Sequence, residues 1–242
     1  MNTDPTQIQL NRWPQQRNLR RGMLLMLGMV LLYPFFTHYI FPSSVESLVP
    51  AIGEMAARCA YELPGWLYGG LALILALRWQ RWTFANLGLR SPTWSSLGWG
   101  LLGVIATFAL ALIVKALFSG LPQPAEDLLA NGAYLRGSLA YALLIAIRAG
   151  VVEEFLYRGL LVEQLTRLTG RPWLAISLSG LIFLFSHGLS FNWMQMAMAA
   201  VATVILSLMY FIRRDLWANI FAHFLIDFIS FMHVLPQNAN TI

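Results

Sequence analysis

Residues 151–158, Val-Val-Glu-Glu-Phe-Leu-Tyr-Arg, place two acids and a base in one of the most apolar regions of the chain. A charge in apolar surroundings is costly unless it is paired, hydrated or used in chemistry. Two later apolar segments also carry ionisable groups: His187 lies in the first, and His223 and Asp227 lie in the second. Acids and imidazoles that meet in such surroundings indicate proton-transfer chemistry.

The spacing within residues 151–158 separates two roles. Glu154 and Arg158 are four residues apart with the acid first, which is the favourable order for an ion pair along one helix. Glu153 points about 100° away from Glu154 and has no comparable partner on its own helix. We therefore expect Glu154 and Arg158 to be structural and Glu153 to be the general base. Arg148 lies well round the helix from Glu153, so we expect it to be structural and to face a water-filled vestibule or an acid on another helix. The simpler alternative is one buried ionic network without chemistry.

The later segments show the same helical spacing. Phe183 precedes His187 by four residues, so the two rings share a helix face. Asn219, His223 and Asp227 recur every four residues and form a polar stripe on an apolar helix. Hydrogen bonding between helices is the simpler explanation of such a stripe, and we expect it to be the whole role of Asn219.

Composition predicts an all-α, multi-pass membrane protein. Of the 242 residues, 58% are hydrophobic and 11% are charged, whereas a soluble domain has about 25% charged residues. The net charge of +5 does not indicate nucleic-acid binding, because the arginines lie mostly at the ends of apolar segments. Cys59 is the single cysteine, which excludes a disulfide within the chain, and we expect it to be a packing residue. We expect His38 and His233 to be bystanders near the outer ends of their segments.

Seven segments are apolar and long enough to cross a bilayer, a crossing taking about 20 residues. They are 22–42, 62–78, 96–118, 138–166, 172–188, 193–212 and 215–235. If the chain alternates, most arginines fall on one side, which predicts a cytoplasmic N-terminus and an external C-terminus. We therefore expect a cytoplasmic tail at 1–21, one membrane domain at 22–235 and a disordered tail at 236–242. The connector 81–98 fits an interfacial segment or an ordinary loop equally well.

Helix geometry places the candidate residues at similar depths. Counted at 1.5 Å per residue from the nearest arginine on the predicted cytoplasmic side, Glu153 lies about 21 Å deep and His187 about 24 Å. On the same scale His223 and Asp227 lie about 14 and 20 Å deep. With an apolar core about 30 Å thick, these groups share a layer near its middle. Packed helices lie about 8–10 Å apart, so the side chains can converge.

The three segments together resemble the CPBP family of intramembrane proteases, also called the Abi or CAAX-protease family. This family includes type II CAAX prenyl endopeptidases and bacterial members linked to bacteriocin self-immunity and peptide maturation. Its patterns E-E-x-x-x-R, F-x-x-x-H and H-x-x-x-N/D are matched, in order and on separate spans, by 153–158, 183–187 and 223–227. The resemblance covers roughly 80–232 and includes a similar stretch at 84–90.

The resemblance implies a catalytic set. Glu153 and His187 would activate a water that attacks a peptide carbonyl, and His223 and Asp227 would stabilise the oxyanion, which needs hydrogen-bond donors. Asp227 stands where prenyl endopeptidases have Asn, so it is either protonated or orients His223, and we favour the second role. The supporting residues would be Glu154, Arg158, Phe183 and Asn219.

The resemblance also implies a glutamate-type mechanism without a metal or other cofactor. The alternative is a zinc site formed by Glu153, His187 and His223, a two-His, one-carboxylate set. The chain has no H-E-x-x-H motif to support it.

We therefore expect an intramembrane endopeptidase with a cytoplasm-facing cavity, acting on a membrane-associated peptide or protein in the lipid bilayer. A bacterial cytoplasmic membrane is the expected location, and a leader peptide or signalling-peptide precursor then fits better as substrate than a prenylated protein. Two alternatives are a non-catalytic scaffold or immunity protein of the same fold and a proton-coupled transporter.

Overall fold

The described part of the chain is helical. The computed structural model describes residues 21–36, 49–121, 138–188 and 191–238, and no β-strand occurs within these ranges. The main helices are α1 (Arg21–Phe35), α2 (Glu54–Arg78), α3 (Trp94–Leu117), α4 (139–169), α5 (Pro172–His187), α6 (Trp193–Arg213) and α7 (Leu216–Asn238). Each predicted span corresponds to one of these helices, and the all-α prediction is confirmed.

The helix ends differ from the predicted spans at several places. The second helix begins at Glu54, so it is longer than the predicted 62–78. The last helix continues to Asn238, and the prediction of a disordered tail from 236 was wrong over its first residues because the helix carries on through them. The N-terminal tail as far as residue 20, His38 and residues 239–242 lie outside the described residues.

The helices present an apolar surface to the outside. Three of them, α2 from Met55, α3 and α6, are long and apolar enough to cross a membrane, and α1, α5 and α7 contain shorter apolar helices. Large apolar side chains on α3 point outward, including Leu112 (69% exposed) and Leu117 (76%). Such a surface is typical of contact with lipid rather than water.

Glycines let α7 approach its neighbours closely. A β-carbon at Gly150 of α4 would lie 3.0 Å from both the Ile220 carbonyl oxygen and the Phe224 nitrogen. One at Gly100 of α3 would lie 3.0 Å from the Ala218 carbonyl oxygen. Small residues at membrane helix interfaces permit such backbone contact. The polar stripe of α7 is therefore held directly beside α4.

The connector between α2 and α3 is ordered and attached to α7. Thr83 caps a short 3₁₀ helix, Phe84–Leu87, through a reciprocal pair of hydrogen bonds with Asn86. Gly88 follows with a left-handed φ of 75°, and its carbonyl accepts a hydrogen bond from the Leu216 nitrogen at 3.0 Å. Phe84 in this connector is 52% exposed, and Trp94, the first residue of α3, is 88% exposed. Exposed aromatics beside arginines are typical of the membrane interface.

Candidate active site

The backbone of α4 changes its winding where the candidate acids lie. It is α-helical over Leu139–Arg148, π-helical over Ala149–Glu153 and Phe155–Val162, and α-helical again over Glu163–Thr169. A π-helix has i→i+5 hydrogen bonds, is rare and is frequently found at functional sites. Its wider turn brings residues five apart onto one face, whereas an α-helix does so for residues three or four apart.

This winding pairs Glu153 with Arg148, five residues earlier. Arg148 Nη1 donates to Glu153 Oε1 at 2.8 Å, and Arg148 Nε donates to Oε2 of Glu62 in α2 at 2.8 Å. Arg148 Nη1 also donates to Tyr33 Oη at 3.1 Å. The prediction that Glu153 has no partner on its own helix was wrong, because it assumed α-helical periodicity. The predicted contact of Arg148 with an acid on another helix is confirmed. We call Arg148, Glu153, Glu62 and Tyr33 the Arg148 network.

Glu154 is the centre of a second network, completely buried between α4 and α7. Its Oε1 accepts hydrogen bonds from Arg158 Nη1 at 2.7 Å and from His223 Nδ1 at 2.8 Å. Its Oε2 accepts from Asn219 Nδ2 at 3.2 Å, and the same amide donates to the Leu206 carbonyl of α6 at 2.8 Å. The predicted pair with Arg158 and the interhelical role of Asn219 are confirmed. We call Glu154, Arg158, His223 and Asn219 the Glu154 network.

His223 lies between two carboxylates. The Glu154 carboxylate can only accept a hydrogen bond, so His223 Nδ1 carries the hydrogen in the bond between them. The other ring nitrogen, Nε2, lies 3.5 Å from Asp227 Oδ2. Asp227 is half-buried, with 28% of its side chain exposed. We expected Asp227 to orient His223, but the shorter contact comes from Glu154. Sequence reasoning missed this second function of Glu154, because it depends on how closely α7 approaches α4.

His187 ends α5 with its ring fixed in direction. Its Nδ1 lies 2.9 Å from the Phe183 carbonyl oxygen and 3.2 Å from Ser186 Oγ. The carbonyl requires a donor, so Nδ1 carries the hydrogen and Nε2 is left with a lone pair. The ring also packs against Phe191, with centroids 4.9 Å apart.

The Phe183 ring joins the two histidines. Its centroid lies 4.6 Å from that of His187 and 6.0 Å from that of His223. Arg158 Cζ lies 4.6 Å from the same centroid, and the Tyr157 ring packs edge-on at 4.9 Å. Helices α4, α5 and α7 therefore bring Arg158, His187 and His223 together around the Phe183 ring.

Glu153 is the exception to this convergence. Within the described ranges it forms hydrogen bonds with Arg148 and with neither His187 nor His223. Its side chain is 12% exposed, so it is largely buried in the protein rather than turned to lipid. Glu153 and Glu154 are adjacent in sequence, so the Arg148 network and the Glu154 network meet at one peptide bond.

Unused polar atoms remain buried beside the histidines. Arg158 Nη2 and Asn219 Oδ1 form no hydrogen bond with the described residues. Buried polar atoms are almost always paired, by protein or by water, so such a group indicates a site that receives water or a ligand. Tyr157, whose ring contacts Phe183, was not among the predicted site residues. A polar hydroxyl in an apolar segment was the sequence signal that could have identified it.

The alternative zinc ligands Glu153, His187 and His223 do not converge on one point in the described part of the chain. Among the residues that the structure describes, no three His, Cys, Asp or Glu side chains are grouped as metal ligands, and Glu153, His187 and His223 are no exception. Glu153 bonds Arg148 instead.

Part of the chain matches a known protein family. Residues 135–229, less than half of the chain, match the family described as type II CAAX prenyl endopeptidase Rce1-like. The matched segment contains α4, α5, α6, the first part of α7 and all of the predicted catalytic residues, whereas the similar stretch at 84–90 lies outside it. A search of curated proteins and a search of solved structures found no match. The predicted resemblance to CAAX-type membrane proteases is confirmed for this segment, and its apolar helices are those of an integral membrane protein.

Proposed function

We propose that this protein is an intramembrane endopeptidase that hydrolyses membrane-associated peptides or proteins with a water activated by Glu153 and His187. The observation that supports this most strongly is the junction of α4, α5 and α7 around Phe183, where Glu154 holds His223 and the His187 ring is fixed beside it. Ionisable groups inside a membrane protein are retained mainly for function.

The first step is attack of water on the peptide carbonyl. His187 Nε2 accepts a hydrogen bond from the water, since its Nδ1 is bound to the Phe183 carbonyl. The Glu153 carboxylate takes the water proton as the hydroxide oxygen bonds to the carbonyl carbon. The carbonyl π electrons pass to oxygen, which gives a tetrahedral oxyanion.

The second step is collapse of the oxyanion. Glu154 anchors His223 through Nδ1, so a hydrogen on Nε2 is directed at the developing charge. Asp227 accepts that hydrogen in the resting enzyme and gives way to the oxyanion. As the carbon–nitrogen bond breaks, the proton held by Glu153 passes to the leaving amine, which restores the carboxylate.

One observation favours a second candidate, a non-catalytic scaffold or immunity protein of the same fold. Glu153 is bonded to Arg148 rather than to a histidine, and an ion pair that never opens would leave no base. The proposed protease therefore requires the carboxylate of Glu153 to exchange Arg148 for water when substrate binds.

The variant Glu153→Gln tests the proposal. Peptides from membranes of cells expressing the wild type or the variant at equal levels are compared by mass spectrometry. We expect at least one cleaved product to disappear, with its precursor accumulating. The control is Asp215→Asn, which removes a carboxylate at the start of α7, where Asp215 caps the Trp217 nitrogen and Asn can do the same. Identical peptide sets in wild type and Glu153→Gln would support the scaffold instead.

We also propose that catalysis uses no metal. Purified, active protein is expected to contain well under one zinc per chain and to keep its activity in a chelator. Stoichiometric zinc that is lost together with activity would overturn the metal-free mechanism.

A further inference from the structure

A polar cavity lies at the end of the molecule where the arginines gather. It has a volume of about 360 Å³ and opens between the connector, the end of α4 and the turn from α6 to α7. Its lining includes three arginines, Arg90, Arg167 and Arg214, and one acid, Glu163. Glu163 and Arg214 lie about nine or ten residues along their helices from the motif acids and His223, about 14 Å away, so this cavity is distinct from the candidate active site.

The single acid of this cavity is already occupied. Glu163 is buried and accepts hydrogen bonds from Arg214 Nε at 3.2 Å and from Tyr210 Oη at 3.0 Å, and it also binds Arg214 Nη2. This contact raises the pKa of Arg214. Within the described part of the chain neither Arg90 nor Arg167 forms an ion pair. The cavity thus keeps two positive charges that Glu163 does not balance.

Arg167 is held in a position that suits an anion. Its guanidinium lies over the Trp82 ring, with Cζ 4.1 Å from the centroid, and this contact restrains the side chain beside the cavity. The pKa of Arg167 is lowered, mainly because its guanidinium is partly buried. The negative charge of Glu163 raises this pKa, and the positive charge of Arg214 lowers it. A bound anion would offset the repulsion between these two arginines.

The wall of the cavity is shaped by two left-handed residues. Gly88 has a φ of 75° and Arg214 a φ of 47°. A β-carbon at Gly88 would lie 2.8 Å from Tyr210 Oη. The Arg90 carbonyl is fixed by Trp217 Nε1 at 2.6 Å. The cavity is therefore a fixed feature of the connector and the α6–α7 turn rather than a gap between loose loops.

We propose that this cavity binds a phosphate group, and that the headgroup of an anionic phospholipid is one source of it. Arginine side chains bind phosphate oxygens through paired N–H donors. The cavity lies among the arginines and exposed tryptophans that mark the membrane interface, which is the depth of lipid phosphates. A soluble phosphate is the other source with the same chemistry.

The test measures binding by native mass spectrometry and thermal unfolding of the full-length protein in detergent. The probes are phosphatidylglycerol, diacylglycerol, which has the acyl chains without a phosphate, and inorganic phosphate. We expect Arg90→Gln with Arg167→Gln to weaken phosphatidylglycerol binding about 25-fold, or about fivefold per charge. The matched control, Arg78→Gln with Arg213→Gln, removes two arginines that do not line the cavity and is expected to change binding less than twofold.

Each outcome decides the proposal. Binding of phosphatidylglycerol alone supports a lipid site, and binding of inorganic phosphate as well supports a site for soluble phosphates. Equal binding of phosphatidylglycerol and diacylglycerol, no binding of either phosphate probe, or equal losses in the two double variants would overturn it. If the cavity double variant does not fold, Arg167→Lys keeps the charge but loses the paired donors, and unchanged lipid affinity in that variant would overturn the proposal.

Discussion

At the scale of single residues, two adjacent acids have different partners and therefore different functions. Glu154 is fully buried and serves two cationic or imidazole partners, Arg158 and His223. Glu153 is bonded to Arg148 and is partly accessible. Neutralising one member of a buried ion pair leaves the other charge uncompensated, which lowers stability. The loss is smaller where a second acid still pairs with the same arginine.

The first prediction concerns stability. Glu154→Gln leaves the Arg158 guanidinium buried without its carboxylate, so the free energy of unfolding is expected to fall by about 3–5 kcal/mol. Glu153→Gln is the matched comparison, because Glu62 still compensates Arg148 in that variant. Thermal unfolding in detergent measures both. An equal loss of stability in the two variants would contradict the separate functions assigned to the two acids.

The second prediction concerns Arg148. Arg148→Gln leaves Glu62 and Glu153 close together without their shared cation, so both stability and peptidase activity are expected to fall. Adding Glu62→Gln removes one of the two repelling charges and is expected to restore about 0.5–3 kcal/mol of stability. The double-mutant cycle, followed by thermal unfolding, measures this coupling. Strictly additive effects would show that Arg148 does not bridge the two acids.

At the scale of helices, the close approach of α4 and α7 assembles the site. Gly150 lies against the backbone of α7, beside the turn that carries His223. The hydrogen bond from His223 to Glu154 is 2.8 Å, so a displacement of a few tenths of an ångström already weakens it.

The third prediction tests this contact. Gly150→Ala is expected to push α7 away, lowering peptidase activity at least tenfold and lowering the unfolding temperature. Gly98→Ala in α3 is the matched control, since a β-carbon there meets no atom within 4 Å, and alanine is expected to stabilise that helix by up to about 1 kcal/mol. Activity and unfolding temperature are measured on both. Normal activity in Gly150→Ala would show that the site tolerates a wider spacing.

The helices also show why part of the site could be predicted from sequence. The Glu154–Arg158 pair and the polar stripe of α7 follow from four-residue spacing, which survives in the folded protein. The Arg148–Glu153 pair could not be predicted, because π winding depends on how α4 packs and leaves no simple spacing signal. The contact between Glu154 and His223 is likewise a consequence of long-range packing at Gly150.

At the scale of the whole molecule, the arginines define a predicted cytoplasmic end and Cys59 provides a marker of the other end. Cys59 lies near the start of α2 and its side chain is exposed. The prediction that it is a packing residue was wrong, because this position of α2 faces outward.

The fourth prediction uses this single thiol to test orientation. In intact cells Cys59 is expected to react with a membrane-impermeant maleimide, since the arginine distribution places the start of α2 outside. The control is Cys59→Ser with Ser95→Cys, which moves the thiol to the start of α3 and is expected to react only after the cells are opened. Labelling in the reverse order would invert the topology.

The attachment of the connector to α7 has a mechanical consequence. The Leu216 nitrogen bonds the Gly88 carbonyl, and Trp217 bonds the Arg90 carbonyl, so the helix that carries His223 is tied to a segment with exposed aromatics. Such aromatics follow the surface of the bilayer, and helices tilt when lipid thickness changes. The rate of catalysis should therefore depend on the acyl-chain length of the surrounding lipid. Turnover in reconstituted vesicles is expected to be highest at one acyl-chain length and to fall in both thinner and thicker membranes.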